Sequence, residues 1–169
     1  GSRYGYSNPG YVYLARVIEK ITGDPWAVYI QKNLWTPLGM DRSYVGVTPY
    51  HLSADRWHGY GVRGDSLADV GADFDPGITI PNSGWNAPLD DVVKYVGFLT
   101  GAPDTEGVLR RGTLEEMWRP VGETGVALPE FGAVGLGFFS FEEGGRRIVG
   151  HTGDQAGYRS YVYLDPQAK

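Results

Sequence analysis

At 169 residues and a net charge of −5, the chain is long enough for one domain with a core and lacks the basic face that nucleic-acid phosphates require. It has no cysteine, which excludes disulfides, thiolate metal sites and a cysteine nucleophile. No apolar run in the sequence approaches the roughly 18 residues of a membrane span.

The first predicted element is a helix. Gly1 to Gly5 reads as a turn, and its Gly1-Ser2 fits a cloning remnant and native sequence equally well. Asn8-Pro9 then combines an N-cap residue with a proline suited to the first helical position. Tyr11, Leu14, Ala15, Ile18 and Ile21 recur at helical spacing, and Gly23 ends the run. Asp24-Pro25 restarts a helix by the same logic, with Trp26, Ile30 and Leu34 as its stripe and Pro37 as its stop.

From about Thr36 to Trp85 the pattern fades. Asp65, Asp69, Asp73 and Asp75 form an acidic run, and the stretch is too long for a plain connection, so it reads as a functional loop or wall. A helix is predicted after Asn86 to Pro88. Leu89, Val92, Val93, Val96 and Leu99 form its apolar face, Asp90 and Asp91 suit its N-terminal dipole, and Gly101 follows its end. Thr113 and Glu116 fit the capping box of a shorter helix closed by Pro120.

After Phe131 the period changes to two. Leu136 to Phe141 reads as a strand, Glu142-Glu143-Gly144-Gly145 as a hairpin turn, Arg146 to His151 as its partner and Tyr158 to Leu164 as a third strand. A three-stranded antiparallel meander with helices on one side is part of an α+β architecture.

Each candidate for chemistry has a structural reading beside the functional one. His151 sits at a glycine-flanked strand end, but a lone strand histidine is commonly structural. Thr152 is a good strand residue, Tyr6 a packing tyrosine and Asn8 a complete N-cap. His51, Asp55 and His58 have irregular spacing for a metal set, and the Asp65-to-Asp75 run lacks the glycine placement of a calcium loop. Neither Ser7 nor Ser83 has a lysine three residues on.

Taken together, these residues resemble a known family. Tyr6-Ser7-Asn8 and His151-Thr152-Gly153 look like the second and third motifs of the serine β-lactamase and penicillin-binding-protein superfamily, in its class C β-lactamase, DD-peptidase and esterase branch. That family carries Ser-x-x-Lys, Tyr-x-Asn and Lys-Thr-Gly or His-Thr-Gly in order. The run from Gly10 to Gly23, Thr36-Pro37-Leu38-Gly39-Met40, the segment from Gly84 to Gly101, Gly135-Leu136-Gly137 and the segment from Gly150 to Pro166 are similar to family segments as well. The resemblance implies an α+β, partial β-lactamase/transpeptidase-like fold over 1–169, mostly helices and loops over 1–130 and antiparallel sheet over 131–169.

The resemblance also implies roles. Tyr6 is the expected general base or acid, and His151 the expected partner in its proton network. Asn8, Thr152, Gly153 and Asp154 are expected to hold substrate, with the Asp154 backbone N–H as an oxyanion donor. Trp85 is a candidate for core or for substrate wall. Phe138 and Phe139 stand where a peptidase of this type can place a carboxylate-binding arginine, and so suit a hydrophobic acyl group or an ester. The implied substrate is a small-molecule or peptidyl acyl compound: a β-lactam, a D-Ala-D-Ala peptide or an ester. No cofactor or metal is implied, and secretion to the periplasm or beyond is the family's habit, with a cytoplasmic esterase as the alternative.

The sequence departs from the family in one respect. No Ser-x-x-Lys precedes Tyr6, and none occurs anywhere in the 169 residues. The expectation is a domain cut at both ends, inactive alone, with apolar surface left uncovered, in a parent serine hydrolase that works through an acyl-enzyme. The alternative is a non-catalytic binding or regulatory module of the same fold.

Overall fold

The computed structural model describes residues 3–71, 75–102, 105, 107–155 and 158–168. Gly1-Ser2, Asp73 and Gly157 therefore lie outside the described residues. Helix α1 spans Asn8–Thr22 and ends at Gly23, whose φ of 77° is the left-handed conformation that glycine adopts without penalty. Its N-cap is Ser7, not Asn8: the Ser7 Oγ accepts a hydrogen bond from the Gly10 N–H at 3.2 Å. A serine directly before Asn-Pro competes for the same role, and moving the cap back one residue leaves the Asn8 side chain unused by the helix.

The second helix, α2, covers Trp26–Ile30 and continues as a π-helical turn over Gln31–Trp35. Asp24 does not cap it, because its carboxylate pairs with Lys32 at 2.8 Å. The junction is fastened by Glu19, whose Oε1 accepts from the Trp26 N–H at 3.0 Å. Of the predicted apolar stripe on α1, Ala15 is buried, whereas Leu14 is 55% and Ile21 78% exposed. Much of that face is uncovered.

The stretch expected to be irregular contains order. Strand β1 (Tyr44–Val45) is separated by a tight hairpin, β2 (Tyr60–Arg63) with β3 (Ser66–Asp69), from its antiparallel partner β4 (Trp85–Asn86). The hairpin turn is Gly64-Asp65, with Gly64 at φ 59°. That dipeptide between two short runs is a hairpin signal, and the surrounding acidic run obscured it. A 3-10 segment over Gly77–Asn82 packs against α1.

Helix α3 (Leu89–Thr100) buries part of the predicted stripe: Leu99 is buried and Val92 and Val96 are half-buried. Leu89 and Val93 are 75% and 61% exposed, while Asp91, Phe98 and Leu99 are buried. The buried side also contains a carboxylate, which apolar periodicity alone does not select. Asp91 accepts from the Arg42 N–H and the Ser43 hydroxyl, both at 3.0 Å, and from Lys94 at 3.2 Å. Helix α4 (Arg111–Trp118) starts two residues before Thr113, so Thr113 and Glu116 lie inside it and form no capping box. The Arg111 guanidinium organises that end instead. It donates to the carbonyls of Leu99 at 3.2 Å and Pro166 at 2.9 Å, and lies 4.8 Å over the Trp118 ring.

The main sheet is five-stranded and antiparallel: β5 (Gly122–Glu123), β6 (Ala133–Val134), β7 (Phe139–Glu143), β8 (Arg146–Gln155) and β9 (Tyr158–Leu164), in that order. The predicted meander is β7 to β9, joined by a turn at Gly144-Gly145 with φ 59° and 77°. Leu136 and Gly137 fall in a turn before β7, outside the strand predicted to include them. Val149 and Leu164, paired across β8 and β9, pack with Phe98, Leu99, Leu114 and Trp118 as the core. The observed architecture is α+β. No helix among the described residues is long and apolar enough to cross a membrane.

Candidate functional site

The two ends of the chain meet at one cavity. Tyr6 lies just ahead of the α1 cap and His151 lies on β8. Their ring centroids are 6.2 Å apart with planes tilted by 38°. Phe139, at the start of β7, stacks on both, 6.5 Å from Tyr6 and 5.0 Å from His151. The cavity beside them has a volume of about 260 Å3 and is lined by Tyr4, Tyr6, Ser7, Tyr11, Phe138, Phe139 and His151 together with glycines and aliphatic residues.

Strict alternation does not by itself bring His151 to this cavity: Phe139 pairs opposite Gly150 and shares its face, yet its ring lies 5.0 Å from that of His151. Alternation puts Val149 and His151 on one face of the sheet, and Gly150 and Thr152 on the other. Strand β9 pairs with β8 along Val149 to Gln155, but the last β7 partner is Phe139, opposite Gly150. Beyond Gly150, β8 thus presents an edge with no strand partner among the described residues. Gly150 itself tolerates no side chain, because a Cβ there would meet the Val162 carbonyl oxygen at 2.0 Å.

The orientation of the imidazole is fixed by its neighbour. His151 Nδ1 lies 2.5 Å from the Thr152 carbonyl oxygen, which can only accept, so Nδ1 carries the hydrogen. In the neutral ring Nε2 is then the acceptor. Among the tyrosines, burial and then the neighbouring Tyr6 ring push the hydroxyls of Tyr4 and Tyr11 above their ordinary value of 10.0. Both remain neutral phenols at ordinary pH. No lysine or arginine lines the cavity among the described residues.

The other sequence-selected residues fall in three places. Thr152, Gly153 and Asp154 follow His151 along the unpaired edge, opposite Tyr161, Ser160 and Arg159 of β9. The Asp154 carboxylate is exposed and pairs with Arg159 at 3.0 Å, so any role in the cavity falls to its backbone. Asn8 is the exposed first residue of α1, and its side chain makes no hydrogen bond among the described residues. Trp85 does not line the cavity. It stacks 6.3 Å from Trp35 and meets Tyr95 edge-on at 5.2 Å, in an aromatic cluster against α3.

His58 and Asp55 of the long loop have separate partners. His58 Nδ1 lies 2.7 Å from the Asp69 carboxylate, and Asp55 pairs with Arg42. No group of three or more metal-ligating side chains gathers among the described residues. Sequence reading missed Tyr4 and Tyr11 as lining residues. Tyr11 meets Gly137, at φ 82°, where a Cβ would lie 3.2 Å from the Tyr11 hydroxyl, a contact that no local sequence pattern shows.

Comparison with known proteins bears on the family and the fold. A family model described as Beta-lactamase matches residues 1–169. A D-aminopeptidase of Brucella anthropi is 29% identical over 161 residues, covering 94% of this chain and 28% of that protein. The octameric penicillin-binding protein homologue from Pyrococcus abyssi superposes with a TM-score of 0.79 at 26% identity, over 99% of this chain and 37% of that one. The D-amino acid amidase from Ochrobactrum anthropi SV3, solved with L-phenylalanine amide, gives 0.69 at 25% identity, over 90% of this chain and 44% of that one. The chain thus spans less than a third of the curated relative's length and under half of either solved structure. A family match along the whole sequence means that this chain belongs to the Beta-lactamase family.

Proposed function

We propose that this chain forms two walls of an acyl-transfer site that hydrolyses amides or peptides of D-amino acids, the nucleophile being a serine on a Ser-x-x-Lys segment outside these 169 residues. The observation that carries the reading is the approach of Tyr6 to His151 beside the unpaired edge of β8. The D-aminopeptidase and D-amino acid amidase relatives supply the substrate class. An aromatic cavity without a cation suits an amide or ester better than a peptide held by its terminal carboxylate.

In this mechanism the serine oxygen bonds to the substrate carbonyl carbon while its proton passes to the Tyr6 oxygen. Tyr6 accepts it as a phenolate, a state that a cation beside it would stabilise. The carbonyl oxygen takes the negative charge and is stabilised by the Asp154 N–H and the serine N–H. The C–N bond then breaks, and Tyr6 returns the proton to the departing amine. Water attacks the acyl-serine ester by the same route, releasing the acid and restoring the serine. The substrate backbone pairs with the β8 edge, Thr152 and Asn8 hold its polar groups, and His151 orders the proton network through Nε2.

The test uses the whole gene product that contains these residues and, separately, the 169-residue chain. D-alanine amide, D-phenylalanine amide, a D-Ala-D-Ala peptide, nitrocefin and p-nitrophenyl acetate are offered as substrates, with a fluorophosphonate as covalent probe. The expected result is hydrolysis of the D-amides and one serine adduct for the whole product, and neither for the chain. No turnover and no adduct in the whole product would favour the binding-module reading, for which the absence of Ser-x-x-Lys from this sequence is the supporting observation.

A further inference from the structure

The Tyr6 ring has little to hold it in place. It is 59% exposed, and its hydroxyl makes no hydrogen bond among the described residues. Its ring neighbours are His151 at 6.2 Å and Phe139 at 6.5 Å, the latter stacked with planes 17° apart. The orientation of the phenol therefore rests on aromatic packing.

Phe139 is held far more firmly. It is 4% exposed, and its main chain is paired with Val134 on one side and Gly150 on the other. Phe131, from a 3-10 turn over Pro129–Phe131, meets its ring edge-on at 4.8 Å. Tyr4 meets it edge-on at 6.3 Å, and the His151 imidazole lies 5.0 Å away. Edge-on and stacked rings at these separations attract and favour particular orientations. One buried ring thus touches both side chains that the proposed mechanism uses to move protons. Phe139 has no proton to exchange, so what it can supply to them is position.

We infer that Phe139 is a positioning residue for the proposed reaction, fixing the Tyr6 ring relative to the His151 imidazole. This rests on the amide-hydrolase reading above. Phe139 also lines the cavity, but four rings surround it and little of its surface is left for a substrate to touch. The two roles differ in their kinetics. A substrate wall acts on KM and depends on the acyl group, whereas a positioning residue acts on kcat whatever the acyl group is. A displacement of the order of 1 Å at a proton-transfer group can cost about 10²-fold in rate.

The experiment compares D-phenylalanine amide with D-alanine amide on the whole gene product. Phe139→Leu keeps an apolar side chain and removes the ring. It is expected to lower kcat about tenfold for both amides, with KM within about twofold of the parent. Phe139→Tyr keeps the ring and should retain most of kcat. Unchanged kcat in Phe139→Leu, or a rise in KM for the phenylalanine amide alone, would overturn the inference. A purely structural role would lower the melting temperature and leave kcat well below the melt as it was. If the parent hydrolyses neither amide, the hydrolase reading fails separately, and the rings decide the inference. Cross-relaxation among the ring protons of Tyr6, Phe139 and His151 is then measured by NMR in the parent and in Phe139→Leu. Contacts from Phe139 to both rings in the parent, and a weakened Tyr6–His151 contact in the variant, support the inference. Absence of the Phe139 contacts in the parent, a result that needs no variant to fold, refutes it, as does an unchanged Tyr6–His151 contact in the variant.

Discussion

The Tyr6 and His151 rings stand 6.2 Å apart, and Phe139 is packed against both. A phenol needs only its oxygen for proton transfer, whereas its packing uses the ring. Tyr6→Phe therefore separates the two. Under the proposed mechanism it lowers kcat of the whole gene product by about 10²- to 10⁴-fold. Its melting temperature should stay with that of the parent, because the ring remains against Phe139. Unchanged kcat would remove Tyr6 from the proton path.

Ser7 and Asn8 exchange the duties that the sequence suggests for them. Ser7 caps α1 through Gly10, and Asn8 makes no bond that the helix needs. Ser7→Ala should cost about 1 kcal/mol in urea unfolding, and Ser7→Asp should restore most of it. Asn8→Ala should change stability by less than about 0.5 kcal/mol. If Asn8 carried the larger loss, the cap would belong to it after all.

The sequence was readable where local chemistry decides the structure. Gly23, Gly101 and Gly144-Gly145 end helices or turn strands because left-handed backbone favours glycine, and each was visible as such. The two motifs were visible too, but their juxtaposition depends on β8 outrunning β7 past Gly150, which no local pattern encodes. Asp91 shows the opposite case. A buried carboxylate breaks the apolar stripe of α3, and only its partners from residues 42 and 43, distant in sequence, explain it.

Glu19 gives a pH-dependent test of the α1–α2 junction. The Trp26 N–H, then Arg16, hold its carboxyl below the ordinary value of 4.5. A carboxyl lowered by folding stabilises the protein above about pH 4.5 and loses that contribution as pH falls through the folded value. Glu19→Gln should therefore melt below the parent at pH 7, and the gap should shrink as the pH is lowered from about 4.5 to 3. Thermal melts across that range check it. A gap that stays constant down to pH 3 would show that the carboxylate charge is not what fastens the junction.

Asp91 is the one charged side chain among the buried residues described. It holds the 42–43 segment to α3 through the Arg42 N–H and the Ser43 hydroxyl, with Lys94 supplying a partly exposed counter-charge. Truncation to alanine leaves two donors facing a void and Lys94 with only the Gly39 carbonyl as partner. The expected loss for Asp91→Ala is about 3 kcal/mol, or roughly 10 °C in Tm for a chain of this size. Asp91→Asn keeps one acceptor oxygen and the volume, so it should lose about half as much. Because Ser43 lies beside β1, whose partner β4 carries Trp85, the alanine variant should also change the environment of that tryptophan. A shift in tryptophan emission before the main transition, present in Asp91→Ala and absent in Asp91→Asn, would locate the loosening in this loop. A fully cooperative melt with parental emission would instead mean that the segment is held by other contacts.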